Sequence, residues 1–178
     1  KPQSEFVPYA LMRAAIAYTN LQQYEQAQEN YRALLEGYIT HELAGGAISG
    51  MQQVLTQLGR NDEFDHFLSQ YKMANPDDES LSSIEYEAAK NLYFNQRYEK
   101  AIPSFQDYIR QYPNTASAYE SKFYIAESYF RLDNKGEAIN YYEQVIEDNK
   151  IAQTSRAVQR VAELSLQSHD FNKVIRYF

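Results

Sequence analysis

The segment "YFNQRYEKAIPSFQDYIRQYP" (Tyr93 to Pro113) returns as "YFRLDNKGEAINYYEQVIEDN" (Tyr129 to Asn149) and as "YTNLQQYEQAQENYRALLEGY" (Tyr18 to Tyr38). Ala101 and Ala138 align 37 residues apart, and Ala27 lies 74 residues, twice that period, before Ala101. A fixed period between 20 and 50 residues constrains the fold strongly, because one such unit cannot bury its apolar face alone and must stack on the next. The chain is therefore predicted to be a repeat array. Stacked repeats present extended surfaces suited to binding other chains.

Each repeat reads as a helical hairpin. Tyr98, Ala101, Ile102, Phe105, Tyr108, Ile109 and Tyr112 recur at three- and four-residue steps, the stripe of one buried helix face. Tyr24, Ala27, Tyr31, Leu34, Leu35 and Tyr38 repeat it, and no strand-like alternation is sustained. Breaks fall at Asn75-Pro76, Tyr112-Pro113-Asn114 and Asp133-Asn134, where short connections are needed. Helix starts are expected at Ser82 with Glu85, Ser117 with Glu120 and Asn134 with Glu137, from their capping-box spacing. Pro103 reads as lying near the start of its helix, where a missing N–H is tolerated. These divisions predict one repeat domain over residues 1–178, with five hairpins at 6–39, 45–76, 82–113, 116–149 and 153–178.

Composition narrows the function classes. A net charge of −7 argues against a nucleic-acid or anionic-membrane surface, which needs clustered Lys and Arg. Cysteine is absent, which removes disulfides, thiolate nucleophiles and Cys-based metal sites. No apolar run is long enough for a transmembrane helix. The chain opens without Met or a signal peptide and closes inside a helical pattern, so it reads as a piece of a longer protein.

These residues resemble tetratricopeptide repeats. That family places a small residue in each helix of a hairpin so that the two helices touch. Ala15, Ala89, Ala126 and Ala162 match the first-helix slot, and Ala27, Ala101 and Ala138 the second, with Val174 a near match. Aromatics flank the second slot as Tyr24, Tyr98 and Phe171 before it, and as Tyr31, Phe105, Tyr142 and Phe178 after it. The resemblance implies an all-α, right-handed α-solenoid of five antiparallel helix pairs. The second hairpin departs from it: Gln52 and Phe64 replace the small residues, and Gly45, Gly46 and Gly50 weaken its first helix. That hairpin is expected to be distorted, with looser helices or a shifted stack. The stretch from Tyr112 to Ile146 is similar to bacterial cell-envelope members of the family, such as outer-membrane assembly lipoproteins and Tol–Pal-associated periplasmic proteins. It implies an adaptor in the periplasm or envelope and leaves the cytoplasm open.

No catalytic constellation emerges, and no cofactor or metal is expected. His41, His66 and His169 are far apart and lack zinc-motif spacing, so each reads as exposed or capping. There is no phosphate-binding loop and no nucleophile elbow. In the family, the inner face is lined by outward positions of the first helices. Matched here, these include Tyr9, Met12 and Ile16 in the first hairpin, Ser49, Gln53 and Gln57 in the second, and Gln159 and Glu163 in the fifth. The third and fourth hairpins supply Tyr86, Lys90 and Tyr93, then Phe123, Glu127, Phe130 and Arg131, an aromatic strip with charges beside it. Aromatics and Arg anchor protein interfaces, although an aromatic at this spacing equally serves packing against the next hairpin. The lysine and asparagine clamp of chaperone-binding members is matched only by Lys90.

The leading expectation is a non-enzymatic scaffold that binds a partner peptide or helix on its concave face. The alternatives are a structural spacer or oligomerisation segment and, more weakly, a glycan or small-molecule module. Weak self-association through an apolar C-terminal end is also expected.

Overall fold

The alanines of the repeat are the points of closest burial. Ala15, Ala27, Ala89, Ala101, Ala126, Ala138 and Ala162 are all buried in the computed structural model, which describes residues 5–177. Phe178 and residues 1–4 lie outside the described residues. The chain is an all-α helical repeat. In order its helices are α1 (Val7–Asn20), α2 (Tyr24–Gly37), α3 (Ala44–Gln57), α4 (Asn61–Ala74), α5 (Leu81–Phe94), α6 (Tyr98–Gln111), α7 (Ala116–Arg131), α8 (Lys135–Asp148), α9 (Thr154–Gln167) and α10 (Phe171–Tyr177). Among the described residues there is no strand.

The 37-residue period is written into the backbone. Helices α2, α4, α6 and α8 begin at Tyr24, Asn61, Tyr98 and Lys135, each 37 residues after the last. Just before each, and before α10, one residue adopts the left-handed conformation: Gln22, Gly59, Gln96, Asp133 and His169, with φ of 56–70°. The following N–H donates to the carbonyl five residues back in every case: Gln23 to Tyr18, Arg60 to Leu55, Arg97 to Leu92, Asn134 to Tyr129 and Asp170 to Ser165, at 2.8–2.9 Å. This bond, with the left-handed residue before it, is the Schellman ending of a helix. It satisfies carbonyls that the helix end would leave open and turns the chain directly into the next helix. Only Gly59 is the glycine that this ending favours, so the repeated turn is nearly silent in the sequence.

Two helix starts differ from expectation. Thr115, not Ser117, caps α7, its hydroxyl accepting from the Ala118 N–H at 3.1 Å. Ser82 lies inside α5, after a turn in which Asp78 accepts from the Ser80 N–H at 2.8 Å. Asn134 caps α8 as its spacing predicts, accepting from the Glu137 N–H at 3.3 Å. Pro103 is inside α6 rather than at its start, on an exposed face.

The chain forms two compact units, Lys1–Ile84 and Glu85–Phe178. In the first unit, α3 is a continuous fourteen-residue helix despite its glycines. They answer to particular neighbours: a Cβ on Gly50 would run into the Tyr31 ring of α2, and one on Gly45 would lie 3.1 Å from the Tyr71 hydroxyl of α4. Gln52 and Phe64 are both buried. With these larger groups in the small-residue slots, α3 and α4 approach less closely than α1 and α2 or α7 and α8 do. The hairpin is thus looser, as expected, while its helices and turn stay regular. A polar network fastens it to α2. Gln28 donates to Glu63 and accepts from Arg60, both at 3.1 Å, and Asn75 donates to the Ile39 carbonyl at 3.0 Å.

The second unit has two apolar clusters. One gathers Tyr86, Ala89, Leu92, Ala101, Phe105 and Ile125, among others. The second gathers Phe123, Ala126, Tyr142, Val145, Val161 and Leu164, among others. Phe105 stacks on Tyr124, with centroids 5.4 Å apart and planes 9° apart, and Tyr93 packs on Tyr124 at 4.9 Å. The abundant tyrosine therefore serves largely as core here.

Candidate functional site

Glu127 is a carboxylate with 0% exposure in the middle of the apolar stripe of α7. A buried charge is costly unless it is paired and hydrogen-bonded. Three groups answer it. Tyr142 of α8 donates its hydroxyl at 2.6 Å. From α9, Arg156 donates at 3.0 Å, and the Arg160 Nε stands 3.6 Å away. Arg160 also donates to Glu163 at 3.0 Å. Burial first, and then the bond to Glu127, push the Tyr142 hydroxyl pKa upward, so it stays a donor at neutral pH.

The two guanidiniums lie over aromatic rings. Arg160 is 4.4 Å from the Phe130 centroid and Arg156 is 5.6 Å from that of Phe123. Both distances fall within cation–π range. Arg156 and Arg160 are four residues apart on α9, so they share a helix face. Half of the Arg156 side chain remains open to solvent. The result is a fixed surface of two arginines on two phenylalanines, held from beneath by one carboxylate.

The seven residues that the sequence proposed for partner binding divide sharply. Tyr86 and Phe123 are core residues, 7% and 4% exposed. The Tyr86 hydroxyl donates to Glu120, and its ring packs on Tyr108 at 5.4 Å. Glu127 is entirely inside. These three support the surface and do not form it. Phe123→Ala would remove a buried ring, at a cost of about 3–5 kcal/mol, so it cannot separate lost binding from lost folding. Lys90, Tyr93 and Phe130 are half-buried and Arg131 is exposed. Lys90 pairs with Glu87 at 3.0 Å and lies 5.1 Å over the Tyr86 ring. Burial first, and then the negative field of Glu127, raise the Tyr93 hydroxyl pKa. Beside Tyr93, Phe94 is 62% exposed, with its ring 5.3 Å away.

Sequence matching missed Arg156 and Arg160 and selected Gln159 and Glu163 on α9 instead. A signal was present. Glu127 is flanked by Phe123 and Phe130 one turn to either side, and an acid in an apolar stripe requires a cation from a neighbouring helix.

A tetratricopeptide repeat model matches residues 86–157, and a second matches residues 9–38. Together they cover more than half of the chain. The chain belongs to the tetratricopeptide repeat family. Comparison with curated proteins gives no match. Solved structures share the fold at low identity. A crystal structure of MamA protein is 14% identical with a TM-score of 0.65, over 98% of this chain and 90% of that one. A tetratricopeptide repeat protein from Parabacteroides merdae is 15% identical with a TM-score of 0.64, over 96% of this chain and 64% of that one. The pilF protein of Pseudomonas aeruginosa is 15% identical with a TM-score of 0.57, over 96% of this chain and 73% of that one.

Tetratricopeptide repeat proteins are typically scaffolds for other proteins. Among the described residues no group of three or more His, Cys, Asp or Glu could hold a metal ion, and no helix is long and apolar enough to cross a membrane. The histidines are apart: His41 accepts from the Leu43 N–H at 3.2 Å before α3, His66 is exposed on α4, and His169 holds the left-handed turn before α10.

Proposed function

We propose that the chain is a non-enzymatic scaffold that binds a segment of a partner protein on the first-helix face of its second unit. Lys90, Tyr93, Phe130 and Arg131 make the contact together with Arg156 and Arg160. The observation that carries this reading is the pair of guanidiniums stacked on Phe123 and Phe130 over a fully buried Glu127. Arginine and aromatic side chains dominate the binding energy of protein interfaces. Here they are already ordered, so little rotamer freedom remains to be lost when a partner arrives. A short extended segment or a helix suits such a face. The resemblance of the Tyr112–Ile146 stretch supports a cell-envelope location over a cytoplasmic one, and cell fractionation decides between them.

The test is affinity capture from the source organism, with the chain beside a Tyr93→Ala, Phe130→Ala, Arg131→Ala variant shown to be folded by circular dichroism. A protein captured by the parent and lost roughly tenfold or more by the variant supports the reading. Equal capture by both moves the contact elsewhere. No capture by either favours a structural spacer.

A further inference from the structure

A hollow of about 450 Å³ opens between the second helices of the third and fourth hairpins, inside the second unit. Gln106, Ile109 and Arg110 of α6 line one side of it, Tyr141 and Gln144 of α8 the other, and Lys122 of α7 completes the lining. Its size suits a small metabolite. Five of these six residues carry hydrogen-bond donors, and none is a carboxylate. Such a lining favours an anionic ligand, even on a chain of net charge −7.

The donors are held in place but not used up. Lys122 reaches Asp148 at 2.6 Å and lies 5.8 Å from the Tyr119 ring centroid, with its side chain 21% exposed. An ammonium has three protons, so two remain, with little water left to receive them. Arg110 pairs with Asp107 through one nitrogen and is otherwise open to solvent. Neither aspartate lines the hollow. Tyr141 accepts from the Gln106 amide nitrogen at 2.9 Å, which leaves its own proton to donate. Its ring stacks on Tyr129, with centroids 5.8 Å apart. Gln144 makes no hydrogen bond among the described residues, so both ends of its amide are free.

We infer that this hollow binds a small hydroxylated anion, of the sugar phosphate or sugar acid class. Lys122 and Arg110 take the anionic group, and the planar guanidinium matches the paired oxygens of a phosphate or a carboxylate. The amides of Gln106 and Gln144 and the phenol of Tyr141 both donate and accept, as hydroxyl groups do, so they suit the rest of the ligand. Ile109 offers its carbon skeleton an apolar contact. An uncharged sugar would leave the two cations unanswered, and bare phosphate would leave the amides unanswered. The site lies on α6 and α8 and does not rest on the partner-binding reading.

The test is titration of the whole chain at fixed ionic strength, read by calorimetry and by NMR shifts of backbone amides. The probes are glucose 6-phosphate, gluconate, glucose and inorganic phosphate. Glucose 6-phosphate or gluconate should bind roughly tenfold or more tightly than glucose and phosphate, with shifts gathered on α6 and α8. The tighter of the two tells a phosphate from a carboxylate ligand. Gln144→Glu places an acid in the hollow, and Arg110→Gln removes a cation from an exposed side chain. Both variants should melt near the parent and bind roughly tenfold more weakly. Lys135→Gln, at the start of α8 and outside the hollow, should bind as the parent does. The inference is overturned if neither hydroxylated anion binds in the millimolar range. It is equally overturned if glucose or phosphate binds as tightly, or if Gln144→Glu leaves the affinity unchanged.

Discussion

Helix α3 in the first unit and α9 in the second carry opposite chemistry at matching repeat positions. Gly46 and Gly50 of α3 stand where α9 has Arg156 and Arg160. Gly50 admits the Tyr31 ring of α2, so this position serves packing between consecutive hairpins. The arginines serve a surface, pairing with Glu127 and covering Phe123 and Phe130. The residue of the preceding first helix follows suit. It is the exposed apolar Ile16 in the first unit and the fully buried acid Glu127 in the second. The turn is the same in both units and the period shortens by only one residue at the last hairpin, so the backbone does not dictate which solution is used. The side chain at two positions per repeat decides whether a first-helix face is bare or charged.

The largest expected effect is at the charged site. Glu127→Gln leaves two arginines without their buried counter-charge and should cost about 3 kcal/mol, read by urea unfolding. A loss below 1 kcal/mol would mean that solvent already serves the arginines and that the carboxylate does not organise the face. At the matching packing site, Gly50→Ala forces a Cβ into the Tyr31 ring. The clash outweighs the gain in helix propensity, for a net loss of about 2 kcal/mol. The second hairpin should also hold a reserve of stability. The Gln52 side-chain nitrogen is buried with no hydrogen-bond partner among the described residues, so Gln52→Leu should gain about 1 kcal/mol in the same assay. Smallest is Gly46→Ala. Its Cβ would meet only the tip of Met12, at 3.0 Å, which is flexible enough to yield. A gain of about 0.5 kcal/mol in thermal unfolding would separate it from Gly50, four residues along the same helix.

The hairpins were legible because small residues at a 37-residue spacing have one physical use, the close approach of two helices. The same reasoning read Gly45, Gly46 and Gly50 only as weak points in a helix. Whether a glycine is a defect or a space for a neighbour depends on where Tyr31 and Tyr71 point, which lies 19 and 26 residues away in the sequence. The aromatic strip is legible in the sequence, but its burial is not. Helical spacing places Tyr86 and Phe123 on a shared face, and it does not say that another helix covers that face. Arg156 and Arg160 lie on the helix after Glu127, and the only sequence signal for them is the acid in the apolar stripe. The Schellman turns were hidden because four of the five left-handed residues are not glycine.

The comparison is tested most directly by measuring partner capture with Arg156→Ala beside Gly50→Ala. Arg156 is half open to solvent, and its loss leaves Glu127 with Tyr142 and Arg160. Arg156→Ala should fold and melt near the parent but lose most of the captured protein, while Gly50→Ala should melt lower and keep it. Capture undiminished in Arg156→Ala, with its fold intact, would contradict the account, because the charged face would then serve packing alone.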